Sequence, residues 1–172
     1  MSYENVILVD EHDKVIGEME KIHAHQLGVL HRAFSVFVLN SKGEMLMQQR
    51  ALSKYHSGGL WTNTCCSHPR PGEETLAAAK RRLKEEMGME LELKKLGTFI
   101  YKTSETTIGF EDGLTEHEYD HVFTALNDQD PVINKEEVED FKWMSIPDIK
   151  ESLKTEKEKF TFWFEIAFNK YF

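Results

Sequence analysis

The stretch TNTCCSHP, residues 62–69, carries both cysteines of a 172-residue chain, side by side, with His68 two positions after the second. A free cysteine is usually a small buried hydrophobe. One set in a run rich in Gly, Pro and Ser can also serve as nucleophile, as acid/base or as zinc ligand. Two adjacent thiolates without a second cysteine pair suit structural zinc poorly, and no cysteine-protease signature surrounds them. Neighbours in sequence bridge only with strain, so Cys65 and Cys66 are expected as free thiols in a reducing compartment. Further donors flank the first hairpin: His25, His31 and His68. TEHEYDHVF adds Glu116 and Glu118, alternate residues that leave a strand from the same face. Three imidazoles and two carboxylates would make a mixed nitrogen/oxygen site for a divalent transition metal. His23, two residues from His25 and on its face if that segment is extended, competes with it. His12, His56 and His121 read as ordinary surface or core histidines.

Such donors act only if the fold gathers them. VILVD (6–10) and VIGEMEK (15–21) read as strands joined by a turn. HRAFSVFVLN is a strong strand, with Phe34, Val36 and Val38 on one face and Ser35, Phe37 and Leu39 on the other. NSKG is turn chemistry, and EMLMQQR (44–50) returns as the hairpin partner. The segment SKYHSGGLWTNTCCSHPRPG reads as one long irregular loop, of the kind that is usually functional. EETLAAAKRRLKEEMG (73–88) is the clearest helix: acids open it, Gly88 closes it, and Leu76, Ala79, Leu83 and Met87 form its buried stripe. Arg81–Glu85 and Arg82–Glu86 are i,i+4 pairs. Strands resume at 96–103, 116–126 and 141–145. Helical signals then cover IPDIKESLKTEKEKF, and Phe160, Phe164, Ala167, Phe168 and Tyr171 recur at helical spacing. The order predicts an α+β fold.

Length suits one domain, 1–172. Apolar residues at 40% and charged residues at 30% are ordinary for a globular chain. No apolar run approaches the ~20 residues of a membrane helix. The acidic start has no basic n-region, so a cytoplasmic protein is expected. The net charge of −9 argues against nucleic acid as the main partner. A small anionic substrate would need a metal or a cluster of cations to overcome that field.

The helix RRLKEEMG nearly matches the Nudix signature, with Arg81, Leu83, Glu85, Glu86 and Gly88 in place and Glu73 at the earlier glutamate. Carboxylates on one side of a helix can hold Mg²⁺ against diphosphate oxygens. Two positions depart: Arg82 stands for a glutamate and Ser67 for the leading glycine. A cation in place of a metal-binding carboxylate should weaken hydrolysis and could turn the helix into a diphosphate clamp. A salt-bridged surface helix would look similar.

Taken together, LHRAFSVFVLN, QQRALSKY, GLWTNTCCSHPRPGE, RRLKEEMG and EHEYDHVF resemble type I isopentenyl-diphosphate delta-isomerase, a Nudix-fold family. The resemblance runs from about Lys21 to the C-terminal helix. It implies a Nudix-like mixed sheet flanked by helices, with a functional loop before the Nudix-type helix and an aromatic C-terminal helix. The implied activity is interconversion of isopentenyl and dimethylallyl diphosphate. Cys66 and Glu118 would be the acid/base pair, Tyr101 would bond near Glu118, and Trp163 would face the cationic intermediate. His25, His31, His68, Glu116 and Glu118 would bind a first metal, Zn²⁺, Mn²⁺ or Mg²⁺. Glu86 would approach the Mg²⁺ of the diphosphate, and Lys21, Arg50, Lys54 and Arg82 would hold its oxygens. The implied partner is a small isoprenoid diphosphate, with no nucleic acid or membrane; oligomeric state is left open. A Nudix diphosphohydrolase and a non-catalytic diphosphate-binding module are the competing readings.

Overall fold

The computed structural model describes residues 4–54, 56–103 and 114–172. Its centre is a curled mixed sheet. The edge is a hairpin of β1 (Asn5–Val9) and β2 (Val15–Glu20), joined antiparallel. A short helix, α1 (Lys21–Leu27), follows without a break. Lys21 therefore opens a helix instead of ending the strand predicted for it. The Glu20 carboxylate accepts from the amides of Ile22 and His23, and Gly28 closes the helix in the left-handed region at φ 62°.

The long strand β3 (His31–Leu39) lies parallel to β8 (His117–Leu126) along its whole length, and β8 pairs antiparallel with β7 (Lys94–Lys102). β4 (Glu44–Arg50) pairs with β9 (Val138–Ser145). The hairpin expected between β3 and β4 is real only at its tip. One residue pair, Leu39–Met45, registers before the strands part.

The predicted long loop fills the gap and is partly strand. β5 (Trp61–Thr62) joins β4, and β6 (Cys65–Ser67) joins β3, with Cys66 opposite Ser35. The residues TNT explain how the parting is tolerated. The Thr64 hydroxyl donates to Leu46 O (2.7 Å) and accepts from Val38 N (2.9 Å). Asn63 Nδ2 donates to Val36 O (3.1 Å) and Cys65 O (2.8 Å). Buried backbone groups that lose a ladder partner thus regain one from side chains.

Helix α2 (Thr75–Met87) starts two residues later than expected, because Glu74 is its cap and accepts from Ala77 N. Its stripe of Ala79, Leu83 and Met87, widened by Ala78, packs on Phe34, Val36 and Val38. Cutting Leu83 to Ala would cost ~2–5 kcal/mol. The opposite sheet face, with Phe37, Met45, Met47 and Val122, is covered by α3 (Ile146–Thr155) and α4 (Phe162–Tyr171). A 3-10 turn, Lys157–Lys159, separates those helices. Phe164, Ala167 and Phe168 face this second core, whereas Trp163 turns away toward Tyr101 and Leu114. Among the described residues no helix is long and apolar enough to cross a membrane.

Candidate active site

The pairing of three strands sets the first part of the site. Glu118 registers with His31 on one side and with Tyr101 on the other. β6 brings Cys66, Ser67 and then His68 to the same end of the sheet, and α1 contributes His25. His25, His31, His68, Glu116 and Glu118 each offer a ligand atom, all within 4.8 Å of one another. The helical conformation of α1 separates His25 from His23. Two residues apart on a helix face nearly opposite ways; His25 is 1% exposed and His23 points outward.

The imidazoles are oriented from behind. His25 Nδ1 lies 2.6 Å from Lys21 O, and His31 Nδ1 lies 2.8 Å from Val29 O. With those nitrogens donating to carbonyls, Nε2 of each ring faces into the cluster, the orientation that a metal ligand needs. His25 Nε2 is 3.0 Å from Glu116 Oε2, and His68 Nε2 is 2.8 Å from Glu118 Oε1. His31 Nε2 and His68 Nε2 face each other at 3.2 Å. Buried nitrogens and carboxylates converging this closely fit a divalent ion of borderline softness.

Burial lowers His68 to about 3, against the pull of Glu118, so its ring stays neutral and able to ligate. Burial also opposes ionisation of Glu118, but the His31 and His68 bonds win and hold it well below the usual carboxylate range. Burial and the charge of Glu118 raise Glu116. Tyr101 donates its hydroxyl to Glu118 Oε2 at 2.6 Å. The two oxygens of Glu118 are therefore divided, one to the imidazoles and one to the phenol.

Cys66 and Glu118 line one cleft, enclosing about 620 Å³ of space partly open to solvent. Burial pushes the Cys66 thiol up to about 12; Glu86 and Glu118 add to the rise, and Arg50 and a Trp163 hydrogen bond oppose it. Cys65, fully buried, packs into the α2 core. Trp163 forms the aromatic wall, and the Arg50 guanidinium lies 5.3 Å from its ring centre. Lys21, Lys54, Arg82 and Glu86 complete the cleft toward its polar side.

Ion pairs order the polar face of the Nudix-type helix. Arg81 takes both oxygens of Glu73 at 2.7 and 2.9 Å. Arg82 bonds Glu85 (2.7 Å) and Glu86 (2.6 Å), and approaches Glu137 at 3.2 Å. Glu86 alone of these carboxylates lines the cleft, where Gln48 Nε2 also donates to it at 2.9 Å. Burial opposes the charge of Arg82, but Glu86 and Glu137 raise its pKa overall. Lys54 pairs with Glu137, which joins Lys54 and Arg82 through one carboxylate.

The residues that the family resemblance assigned to the site are thus brought together in this cleft and its donor cluster. Three participants were not. Glu137 sits in the acidic run KEEVED, which reads as a solvated surface. Asp120, two residues beyond Glu118 on the same strand face, is buried and accepts from the Ser35 hydroxyl at 2.7 Å. His56, read as ordinary, forms cleft wall; burial first, then the charge of Arg50, lowers its pKa to about 2. The alternation of Glu116, Glu118 and Asp120 was the available signal for Asp120.

A family model described as the NUDIX domain matches residues 29–164. An isopentenyl-diphosphate Delta-isomerase 2 of Aromatoleum aromaticum is 51% identical over 160 residues, covering 93% of this chain and 82% of the relative. An isopentenyl-diphosphate Delta-isomerase of Pectobacterium atrosepticum is 49% identical over 168 residues, covering 98% and 91%. Among solved structures, DR0079 of Deinococcus radiodurans aligns with a TM-score of 0.81 at 19% identity, over 98% of this chain and 99% of the other. That likeness carries the fold alone, and it agrees with the curled mixed sheet and the helix α2. The sequence relatives, sharing half their residues along nearly the whole chain, carry more: the chain belongs to the isopentenyl-diphosphate Delta-isomerase family of NUDIX-domain proteins.

Proposed function

We propose that this protein interconverts isopentenyl and dimethylallyl diphosphate by a metal-assisted 1,3-allylic proton shift, with Cys66 and Glu118 as the acid/base pair. In this reading residues 1–172 act as one Nudix-like domain in the cytoplasm. The observation that carries it is that a half-buried thiol and a buried carboxylate, on different strands, line one cleft together with Lys21, Arg50, Lys54, Arg82 and the Trp163 ring.

His25, His31, His68, Glu116 and Glu118 would hold one divalent ion, Zn²⁺, Mn²⁺ or Mg²⁺, and Glu86 would meet a Mg²⁺ brought by the diphosphate. These ions would supply positive charge that favours the ionised carboxylate and draws the diphosphate oxygens. Lys21, Arg50, Lys54 and Arg82 bind those oxygens and so fix the isoprenoid end between Cys66, Tyr101 and Trp163.

At neutral pH a thiol raised to about 12 rests protonated, and Glu118 rests ionised. The thiol gives its proton to the terminal methylene carbon, and the π electron pair forms the new C–H bond. A tertiary cation remains at the branched carbon. Glu118 removes a proton from the neighbouring methylene, and that C–H electron pair becomes the internal double bond. The thiolate and the carboxylic acid left behind are reset by exchange with solvent. Trp163 offers π density to the cation, worth ~2 kcal/mol when desolvated. Hydrolysis is disfavoured because Arg81 and Arg82 already occupy Glu73 and Glu85.

The deciding experiment is incubation with isopentenyl diphosphate and Mg²⁺ in heavy water. Dimethylallyl diphosphate should appear carrying solvent deuterium, without free phosphate. Cys66→Ala and Glu118→Gln should each lose nearly all turnover. Phosphate release instead of isomerisation, or a fully active Cys66→Ala enzyme, would sink the reading.

A further inference from the structure

Glu116 divides its carboxylate as Glu118 does. Oε2 faces His25 at 3.0 Å, within the ligand cluster. Oε1 lies 3.6 Å from Nε2 of His56. His56 lies outside the set of five donors that fall within 4.8 Å of one another. Its side chain is 7% exposed. Its position is fixed on two sides. Arg50 Nη2 donates to the His56 carbonyl at 3.3 Å, and the imidazole stands edge-on to Trp163 with ring centres 5.8 Å apart at 90°. The separation from Glu116 is a few tenths of an ångström beyond a hydrogen bond.

We propose that His56 is a positioning residue for Glu116: its Nε2–H restrains the outer carboxylate oxygen so that the inner one stays directed into the five-donor cluster. A ligating carboxylate held by a donor behind it loses less freedom when it takes a cation, and such supporting groups are worth ~10–100-fold in metal affinity. His56 reaches Glu116 from the loop between β4 and β5, an element that contributes no ligand itself. The inference rests on the cluster being a metal site, as in the functional reading above, and does not need the isomerase chemistry.

Two variants separate the donor from the ring. His56→Phe keeps an aromatic edge against Trp163 and removes the N–H. His56→Gln keeps an N–H at similar reach and removes the ring. Metal-free wild type and both variants are titrated with Zn²⁺ against a chromophoric chelator, with no substrate present. His56→Phe should bind Zn²⁺ roughly 10–100-fold more weakly, while His56→Gln stays within about threefold of wild type, as the donor argument requires. Equal affinity in all three proteins overturns the proposal, as does a loss in His56→Gln as large as that in His56→Phe. A wild type that binds no Zn²⁺ overturns it together with the metal site. A wild type that binds Zn²⁺ and shows the expected contrast, but makes no dimethylallyl diphosphate, removes the isomerase reading and leaves the role of His56 standing.

Discussion

The Tyr101 hydroxyl lies 2.6 Å from Glu118 Oε2, directly across the β7–β8 ladder where the two residues register. A hydrogen bond to a charged acceptor is worth ~1.5–3 kcal/mol. This one aims the oxygen that the imidazoles leave free. Tyr101→Phe should therefore lower kcat roughly 10–100-fold, one decade for each ~1.4 kcal/mol. KM should stay within about twofold, since the phenol does not grip the diphosphate. Steady-state kinetics check this; a raised KM with unchanged kcat would make Tyr101 a simple contact for substrate.

His68 joins the loop strand β6 to the cluster through Glu118 and His31. His68→Ala should lower bound metal and turnover together, because the remaining donors lose both a ligand and their mutual alignment. Elemental analysis of the purified variant measures the first, and full occupancy would contradict the assignment.

Arg82 neutralises three carboxylates, Glu85, Glu86 and Glu137. Arg82→Glu places a fourth negative charge among them. KM for isopentenyl diphosphate should rise roughly tenfold or more, from lost charged hydrogen bonds, and the melting temperature should fall. Robust phosphate release is not expected, since a restored carboxylate does not place an attacking water. Unchanged affinity and melting would reduce Arg82 to a surface ion-pair residue.

Asp120 gives a stability signature with pH. Burial, with the charge of Glu118 added, raises its carboxyl well above 3.8, while the Ser35 bond opposes the rise. The folded state thus holds the proton more tightly than the unfolded chain. That contribution is complete below the unfolded value of 3.8 and is lost as pH rises through the folded value. Asp120→Asn removes the titration. Comparing metal-free proteins from about pH 4 to about pH 7, wild type should lose melting temperature relative to the variant. Parallel profiles would show that Asp120 titrates alike in both states.

The strands β3 and β8 and the helix α2 were legible because their apolar residues recur at periods of two and 3.6, and those periods survive in the packed cores. The five clustered donors were legible as residue types, yet their convergence was not. It depends on the parallel pairing of His31–Leu39 with Glu118–Leu126, and no local pattern announces a partner so far along the chain. Helix α1 was hidden because KIHAHQL is seven residues long and continues straight from a strand, with only the Glu20 cap to mark it. That helix places His25, and not His23, among the clustered donors. The parting of β3 from β4 was invisible for a different reason: EMLMQQR has the composition of a hairpin partner whichever strand it pairs with. His56 and Glu137 gave no signal, because each acts through a neighbour fixed only by the tertiary fold.

The plug between β3 and β4 has a consequence for how this chain can vary. Asn63 and Thr64 answer to the unmet donors and acceptors of two diverging strands, whereas Cys66 and His68 line the cleft and, in the proposed function, serve its reaction. Two unlike demands thereby share eight consecutive residues, and the border between them falls at Cys65, whose side chain lies in the α2 core. A lesion on one side of that border is a failure of carpentry and on the other a failure of chemistry, although Asn63 and Cys66 stand three positions apart. The seam where β3 and β4 part is consequently closed along its length by fixed side chains.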